Sequence, residues 1–237
     1  KIHKIVRQIA GSSDPYKKIK DKYNKIALGL YPELRESVKK AKDPLLMGIR
    51  VAIAGNIIDF GVNNYANIDI EQEIDKILKQ DFAVFDYISF RKALEHTDEL
   101  LYIADNSGEV VFDRVLIETI IEKSKKKVIY VVREKPIIND ATIEDALFCG
   151  IDKVARVISS GSDGPGTFLS LATNEFRTYF NRAKLIISKG QGNYETLSEV
   201  DKPIFFLLKA KCPVIAKDLG CKAGDIVLKE SIKPAVE

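Results

Sequence analysis

Between Asp14 and about Glu95, apolar residues return every three or four positions. Ile19, Tyr23, Ile26, Ala27 and Leu30 form one series, Leu45, Leu46, Ile49, Ala52 and Ile53 a second, and Ile70, Ile74, Ile77 and Leu78 a third. That is the spacing of a helix with one buried face. Asp14-Pro15 and Asp43-Pro44 supply an N-cap and a first-turn proline for two of these helices. Residues 1–95 are therefore expected to be a helical region that packs against the rest and walls one side of a cleft.

From Leu100 the rhythm changes. Short apolar runs now alternate with amphipathic stretches: LLYIA from Leu100, VIYVV from Val128, VARVI from Val154, LIIS from Leu185 and IFFLL from Ile204. Buried parallel strands read as continuous apolar blocks, so residues 96–237 are expected to be an α/β domain with a mainly parallel sheet. PVIA from Pro213 and DIVL from Asp225 are expected to close the sheet as an antiparallel edge hairpin.

In such sheets, ligands bind beyond the carboxyl ends of the strands. The segments that follow the first four runs are DNSGE, REKPIIND, SSGSDGPGT and KGQGNYE, all rich in small polar or singly charged residues, whereas the fifth run is followed only by KAKCP. Four such ends converging on one edge suit backbone-mediated binding of a small polar ligand.

Composition narrows the class. The chain has 237 residues, 46% of them hydrophobic, enough to bury a sizeable core. Its formal net charge of +3 is spread along the sequence, which is no nucleic-acid signature. The densest basic run, KSKKK from Lys123, falls between a helix end and a strand and reads as a solvated turn. No apolar stretch approaches the roughly 20 residues of a membrane helix and no signal-peptide pattern opens the chain, so a cytoplasmic protein is expected. The chain opens Lys-Ile-His without an initiator Met, which leaves open whether a native segment precedes it. Cys149, Cys212 and Cys221 have neither disulfide nor zinc spacing and are expected to be small core residues.

The chemistry gathers at the strand ends. DNSGE opens a helix through small polar residues, and the unpaired amides of a helix start favour anions. Asp105 and Glu109 would repel a phosphate there unless a cation lay between them. Asp105 and Asn106 offer a carboxylate and an amide oxygen to a hard divalent ion, and Ser107 and Gly108 stand at the helix start as candidate substrate contacts. Asn139-Asp140 repeats the pairing after the next strand, and adjacent strands lie only about 4.8 Å apart, so Asp140 can share the ion. Capping is the simpler role for either acid: Asp105 for the helix near Glu109, Asp140 for ATIEDALF.

Gly161 lies in SSGSDGPGT, which can wrap a phosphate in backbone amides but lacks the Lys-Ser/Thr ending of a P-loop. KGQGNYE places Lys189 at a strand end beside Gly190, with Asn193 following, where a point charge suits phosphate unless the lysine merely faces solvent. In GNIIDFG, Asn56 and Asp59 lie one turn apart within an apolar helix, a placement that calls for partners: Asn56 is a candidate substrate contact, with buried contacts to the α/β half as the alternative. His3 and His96 are too few and too isolated for a histidine-based site, and no GxSxG elbow is present.

GNIIDFG, ADNSGE, REKPIINDAT and SKGQGNYE, in that order, resemble the metal-dependent damage-control phosphatases, long catalogued as a domain of unknown function (number eighty-nine), and above all their compact archaeal members. The likeness runs from about Ile49 to the C-terminus. It implies a three-layer α/β/α sandwich with an added helical region. It also implies a divalent metal (Mn²⁺, Mg²⁺, Co²⁺ or Ni²⁺) on Asp105, Asn106 and Asp140, and a substrate phosphate met by Lys189. The implied substrates are sugar phosphates and other small phosphometabolites, including phosphopantetheine-like compounds. A cysteine pair expected near the start of archaeal members is absent here, which fits either a chain that begins downstream of it or its loss.

The nucleophile expected is a metal-bound water, with direct attack by Asp105 as the alternative and Glu109 as a candidate base or supporting residue. Two rival classes use similar loops: a phosphosugar-binding or sensor module without turnover, and an S-adenosylmethionine-dependent methyltransferase, for which DNSGE is a poor version of the glycine-rich turn.

Overall fold

The computed structural model describes residues 2–58 and 70–231. Asp59 of GNIIDFG lies outside the described residues. The elements follow the order α1 (Ile2–Ala10), α2 (Lys17–Lys40), α3 (Pro44–Ala54), α4 (Ile70–Lys79), β1 (Phe82–Phe85), α5 (Tyr87–Glu95), β2 (Glu99–Ile103), α6 (Glu109–Ser124), β3 (Lys127–Val132), α7 (Ile143–Phe148), β4 (Arg156–Ser159), α8 (Asn174–Arg182), β5 (Ile186–Lys189), α9 (Gln191–Leu197), β6 (Ile204–Lys209), α10 (Pro213–Leu219) and β7 (Ile226–Glu230). No described helix is long and apolar enough to cross a membrane.

Seven strands form one sheet in the order β1-β7-β6-β5-β2-β3-β4. Every neighbouring pair is parallel except β6 with β7. Alternate strand residues feed two cores. Leu100, Tyr102, Val128, Tyr130, Ile187 and Phe205 join Ala27, Ile49, Phe90, Phe112 and Leu116 of the helices on one face. Leu101, Ile103, Ile129, Ile186 and Phe206 join Phe176, Tyr194, Leu197 and Ile215 on the other. This is the expected α/β/α sandwich.

Two local readings change. PVIA is not a strand: Pro213 occupies the first turn of α10, Cys212 is its N-cap, and Gly220 ends it in a left-handed conformation. A proline start and a glycine stop are helix punctuation, which outweighs a four-residue apolar run. Conversely Phe82–Phe85, inside the stretch read as helical, is an edge strand that pairs parallel with β7. The sheet therefore draws on both parts of the chain.

Asp43 caps α3 as read, accepting from the amides of Leu45 at 3.1 Å and Leu46 at 3.2 Å. Asp14 instead braces the turn before α2, accepting from the Tyr16 amide at 2.9 Å, while Tyr16 holds the cap position. Cys149 is buried, but Cys212 and Cys221 are only partly so, and all three are free thiols. The KSKKK run spans the end of α6 and the start of β3, as its polarity demanded.

A glycine lets α3 pack closely on α6. A Cβ at Gly55 would come within 3.0 Å of Phe112 and 3.3 Å of the Cα of Glu109. The absence of a side chain lets the end of α3 touch the first turn of α6 and delivers Asn56 to Glu109.

Candidate active site at the carboxyl edge of the sheet

The site begins with backbone pairing. After β2 the chain continues through Asp105 and Asn106, and the loop following β3 turns back to lie antiparallel beside it, with Asn106 opposite Asp140. The Ala141 amide donates to Asp105 O at 2.8 Å and the Ser107 amide to Asn139 O at 2.8 Å. The turn that permits this includes Ile138 at φ 45°, a left-handed conformation that costs a β-branched residue about 1–3 kcal/mol. Asp105, Asn106 and Asp140 are thus neighbours through their main chains. Neither acid serves as a cap, since α6 has Gly108 at its N-cap position without a side-chain cap and α7 is closed by a Thr142–Asp145 capping box.

Glu109 is fully buried and accepts three hydrogen bonds: Asn56 Nδ2 at 2.7 Å, Asn106 Nδ2 at 2.9 Å and Lys189 Nζ at 2.9 Å. Asn106 Nδ2 also donates to Asp105 Oδ2 at 3.1 Å. A carboxylate so occupied is better suited to holding donors in place than to moving protons. Lys189 is not a solvent-facing strand end: it is fully buried, and its ammonium reaches Asp113 Oδ1 at 2.8 Å as well as Glu109.

A second set of bonds locks the strand ends together. Arg133 Nε donates to Asp140 Oδ2 at 2.7 Å, its Nη1 to Thr167 Oγ1 at 2.8 Å and its Nη2 to Asn193 Oδ1 at 2.9 Å. Asn193 Nδ2 donates to the carbonyls of Ala104 at 2.9 Å and Lys189 at 2.8 Å. The amide of Asn193 is therefore engaged inside the protein, clamping the ends of β2, β3 and β5.

β2 has β3 on one side and β5 on the other, so the crevice between the ends of β2 and β5 is the switch point at which open α/β sheets bind ligands. Gly190 lies on this crevice at φ 78°, and a Cβ there would fall 1.9 Å from Asp105 Oδ2. Only glycine fits. Ser107 is buried with its Oγ unpartnered among the described residues, as is Asn56 Oδ1. Gly161 is not drawn into the cluster in the same way; its φ of 82° lets it pack against Leu171 and Thr173.

The electrostatics follow from the crowding. Burial first, then Glu109 and Asp140, push the Asp105 carboxyl well above the usual carboxylate range, against the pull of Arg133 and Lys211. Burial would strip the Lys189 ammonium of its proton, but Asp113 and Glu109 outweigh it and hold that group above the ordinary lysine range. Four carboxylates (Asp105, Glu109, Asp113, Asp140) meet three cations, Lys189 and Arg133 in direct contact and Lys211 acting on Asp105, which leaves one negative charge when all are ionised. Among the described residues no group of three or more His, Cys, Asp or Glu side chains is arranged to hold an ion, so the candidate ligand set is two carboxylates and an amide.

Asp113, Tyr102, Tyr130, Arg133 and Thr167 were not singled out by sequence reasoning. Asp113 alone carried a signal: an acid four residues after Glu109, on the buried side of an apolar helix.

Residues 1–227 match the family described as the damage-control phosphatase ARMT1-like domain. The chain is 42% identical over 235 residues to an uncharacterized protein of Methanocaldococcus jannaschii, covering 96% of this chain and 77% of that one. It is 41% identical over 218 residues to a damage-control phosphatase of Pyrococcus horikoshii (92% and 75% covered) and 36% identical over 233 residues to one of Archaeoglobus fulgidus (97% and 80% covered). The crystal structure of a DUF89 family protein from P. horikoshii superposes with a TM-score of 0.85 at 38% identity, covering 98% of this chain and 80% of that one.

Proposed function

The chain belongs to the ARMT1-like damage-control phosphatase family, and on that premise we propose that it is a metal-dependent phosphomonoesterase acting on small phosphorylated metabolites. The observation that carries this reading is the antiparallel pairing that sets Asn106 opposite Asp140, with Asp105 adjacent, inside a cluster whose carboxylates outnumber its cations. The donor set fits a hard divalent ion: two carboxylates and an amide oxygen, with no sulfur or imidazole. Asp105, Asn106 and Asp140 would hold it. When bound, Mn²⁺, Mg²⁺, Co²⁺ or Ni²⁺ supplies a Lewis acid that polarises a phosphoryl oxygen and makes a water molecule a better nucleophile.

The protein groups do the rest. Glu109 keeps the Asn106 amide turned so that its Nδ2 points inward, which leaves its oxygen for the ion. Among the described residues Lys189 gives two of its three N–H bonds, to Glu109 and Asp113, and the third is left for a phosphoryl oxygen. The uncapped start of α6 and the Ser107 hydroxyl add donors to the same anion. In the net reaction the water oxygen bonds to phosphorus, the ester P–O bond breaks, and the alcohol leaves with a proton, yielding inorganic phosphate.

The test is phosphate release from a panel of sugar phosphates and other small esters by chelator-treated protein, before and after each metal is restored. Release is expected only with metal. Esters that bind but release no phosphate with any ion would make the protein a phosphate-ester binder.

A further inference from the structure

Asp113 is a charged side chain that the proposed chemistry does not use. It is fully buried within an otherwise apolar stretch of α6. An unpaired carboxylate there would be strongly disfavoured, so its burial depends on partners. It has three: Lys189 Nζ at 2.8 Å and Tyr102 Oη at 2.7 Å on Oδ1, and Tyr130 Oη at 2.8 Å on Oδ2. Tyr102 and Tyr130 are register partners on β2 and β3, with rings 5.4 Å apart. Phenylalanine would fill the same core. The two hydroxyls are committed to the carboxylate; burial pushes its pKa up, and Lys189 and the Tyr102 hydroxyl pull against that rise.

We propose that Asp113 is the positioning residue for Lys189: with Glu109 one turn earlier, it holds the buried ammonium at two points, so that the remaining N–H faces the phosphoryl group. This rests on the phosphatase reading. A two-point hold fixes direction as well as charge, which a single carboxylate cannot do. The groups around the ammonium are Glu109 and Asp113 from α6, with Tyr102 of β2 and Tyr130 of β3 behind Asp113.

The experiment is a double-mutant cycle on Mn²⁺-loaded protein with para-nitrophenyl phosphate. Asp113→Asn is expected to lower kcat on the order of ten- to a hundredfold, with little change in Mn²⁺ affinity, and to bring the alkaline limb of the pH–rate profile to lower pH. In a Lys189→Met background the same substitution should cost nothing further. Equal losses in both backgrounds, or an unmoved alkaline limb, would overturn the proposal. Should Asp113→Asn fail to fold, Tyr102→Phe keeps the packing and loosens the same carboxylate oxygen. A severalfold loss that vanishes with Lys189→Met is then expected, and full activity of Tyr102→Phe overturns the idea.

The ammonium of Lys189 can also be read without turnover, in ¹⁵N-lysine spectra assigned by its loss in Lys189→Met. It should exchange faster or titrate lower in Asp113→Asn. An unchanged signal sinks the positioning role, whereas absence of phosphate release by the unaltered protein sinks only the phosphatase reading.

Discussion

The first turns of α6 bury their charges, whereas its second half carries a partly exposed cluster, and the two balance charge differently. In the second half, Glu118 accepts from Arg35 at 2.9 Å and Arg114 at 2.8 Å, and Arg35 also reaches Glu122 at 2.5 Å. Two arginines meet two glutamates. In the first turns, Glu109 and Asp113 share one lysine, while nearby Asp140 pairs with Arg133 and Asp105 feels both Arg133 and Lys211. Two buried polar atoms there, Asn56 Oδ1 and Ser107 Oγ, have no partner among the described residues. The balanced cluster, with Glu122 exposed to solvent, ties α2 to α6. An unbalanced one, with donors and acceptors left over, is poised to take something in.

The largest break in this contrast should come from Asp140→Ala. Mn²⁺ affinity and phosphate release should fall by more than the roughly hundredfold that removing a supporting partner costs. Saturating Mn²⁺ should stabilise the unaltered protein by about 2.7 kcal/mol at a hundred times Kd, and this gain should disappear. Undiminished thermal stabilisation by Mn²⁺ in Asp140→Ala would move the ion elsewhere. Gly190→Ala comes next. Its Cβ would occupy the space of the Asp105 carboxylate, and its φ of 78° is strained for any side chain. Turnover should be nearly lost and the melting temperature lowered; an active, unshifted variant would show that the β2–β5 crevice is wider than these contacts require.

A smaller effect is expected of Glu109→Gln. If Glu109 holds Lys189 and Asn106 by its charge, turnover should drop by roughly ten- to a hundredfold while the acid limb of the pH–rate profile keeps its position. Loss of that limb would restore Glu109 to the role of base.

Much of this frame could be read from the chain because buried parallel strands announce themselves: LLYIA, VIYVV, LIIS and IFFLL need no partner to be recognised. FAVF did not, because an edge strand with alternating exposure, four residues long, resembles a linker. VARVI was placed two residues early, since the strand starts at Arg156. Asp105, Asn106 and Asp140 were legible as polar residues ending apolar runs. The depth of Lys189 was not, because a lysine at a strand end looks the same whether water or two carboxylates surround it. Nor was the clamp of Arg133, Thr167 and Asn193, whose members come from two loops and the start of α9.

The smallest effect should belong to the balanced cluster. Glu118→Gln removes one charge but keeps the shape and one acceptor oxygen for Tyr31 and the arginines. Arg35 retains Glu122, and Arg114 retains the Cys149 carbonyl at 3.1 Å. No buried charge is left without a partner, so the loss is that of weakened charge-assisted hydrogen bonds, about 1–3 kcal/mol. In a chain of this length that corresponds to a melting temperature lower by several degrees. Phosphate release and the Mn²⁺ response should stay as in the unaltered protein, because the first turn of α6 is packed by Gly55 and Phe112 and not by this cluster. Thermal melts with and without Mn²⁺, together with ester turnover, read both quantities. A fall in turnover matching that of Glu109→Gln would mean that the two halves of α6 act as one network.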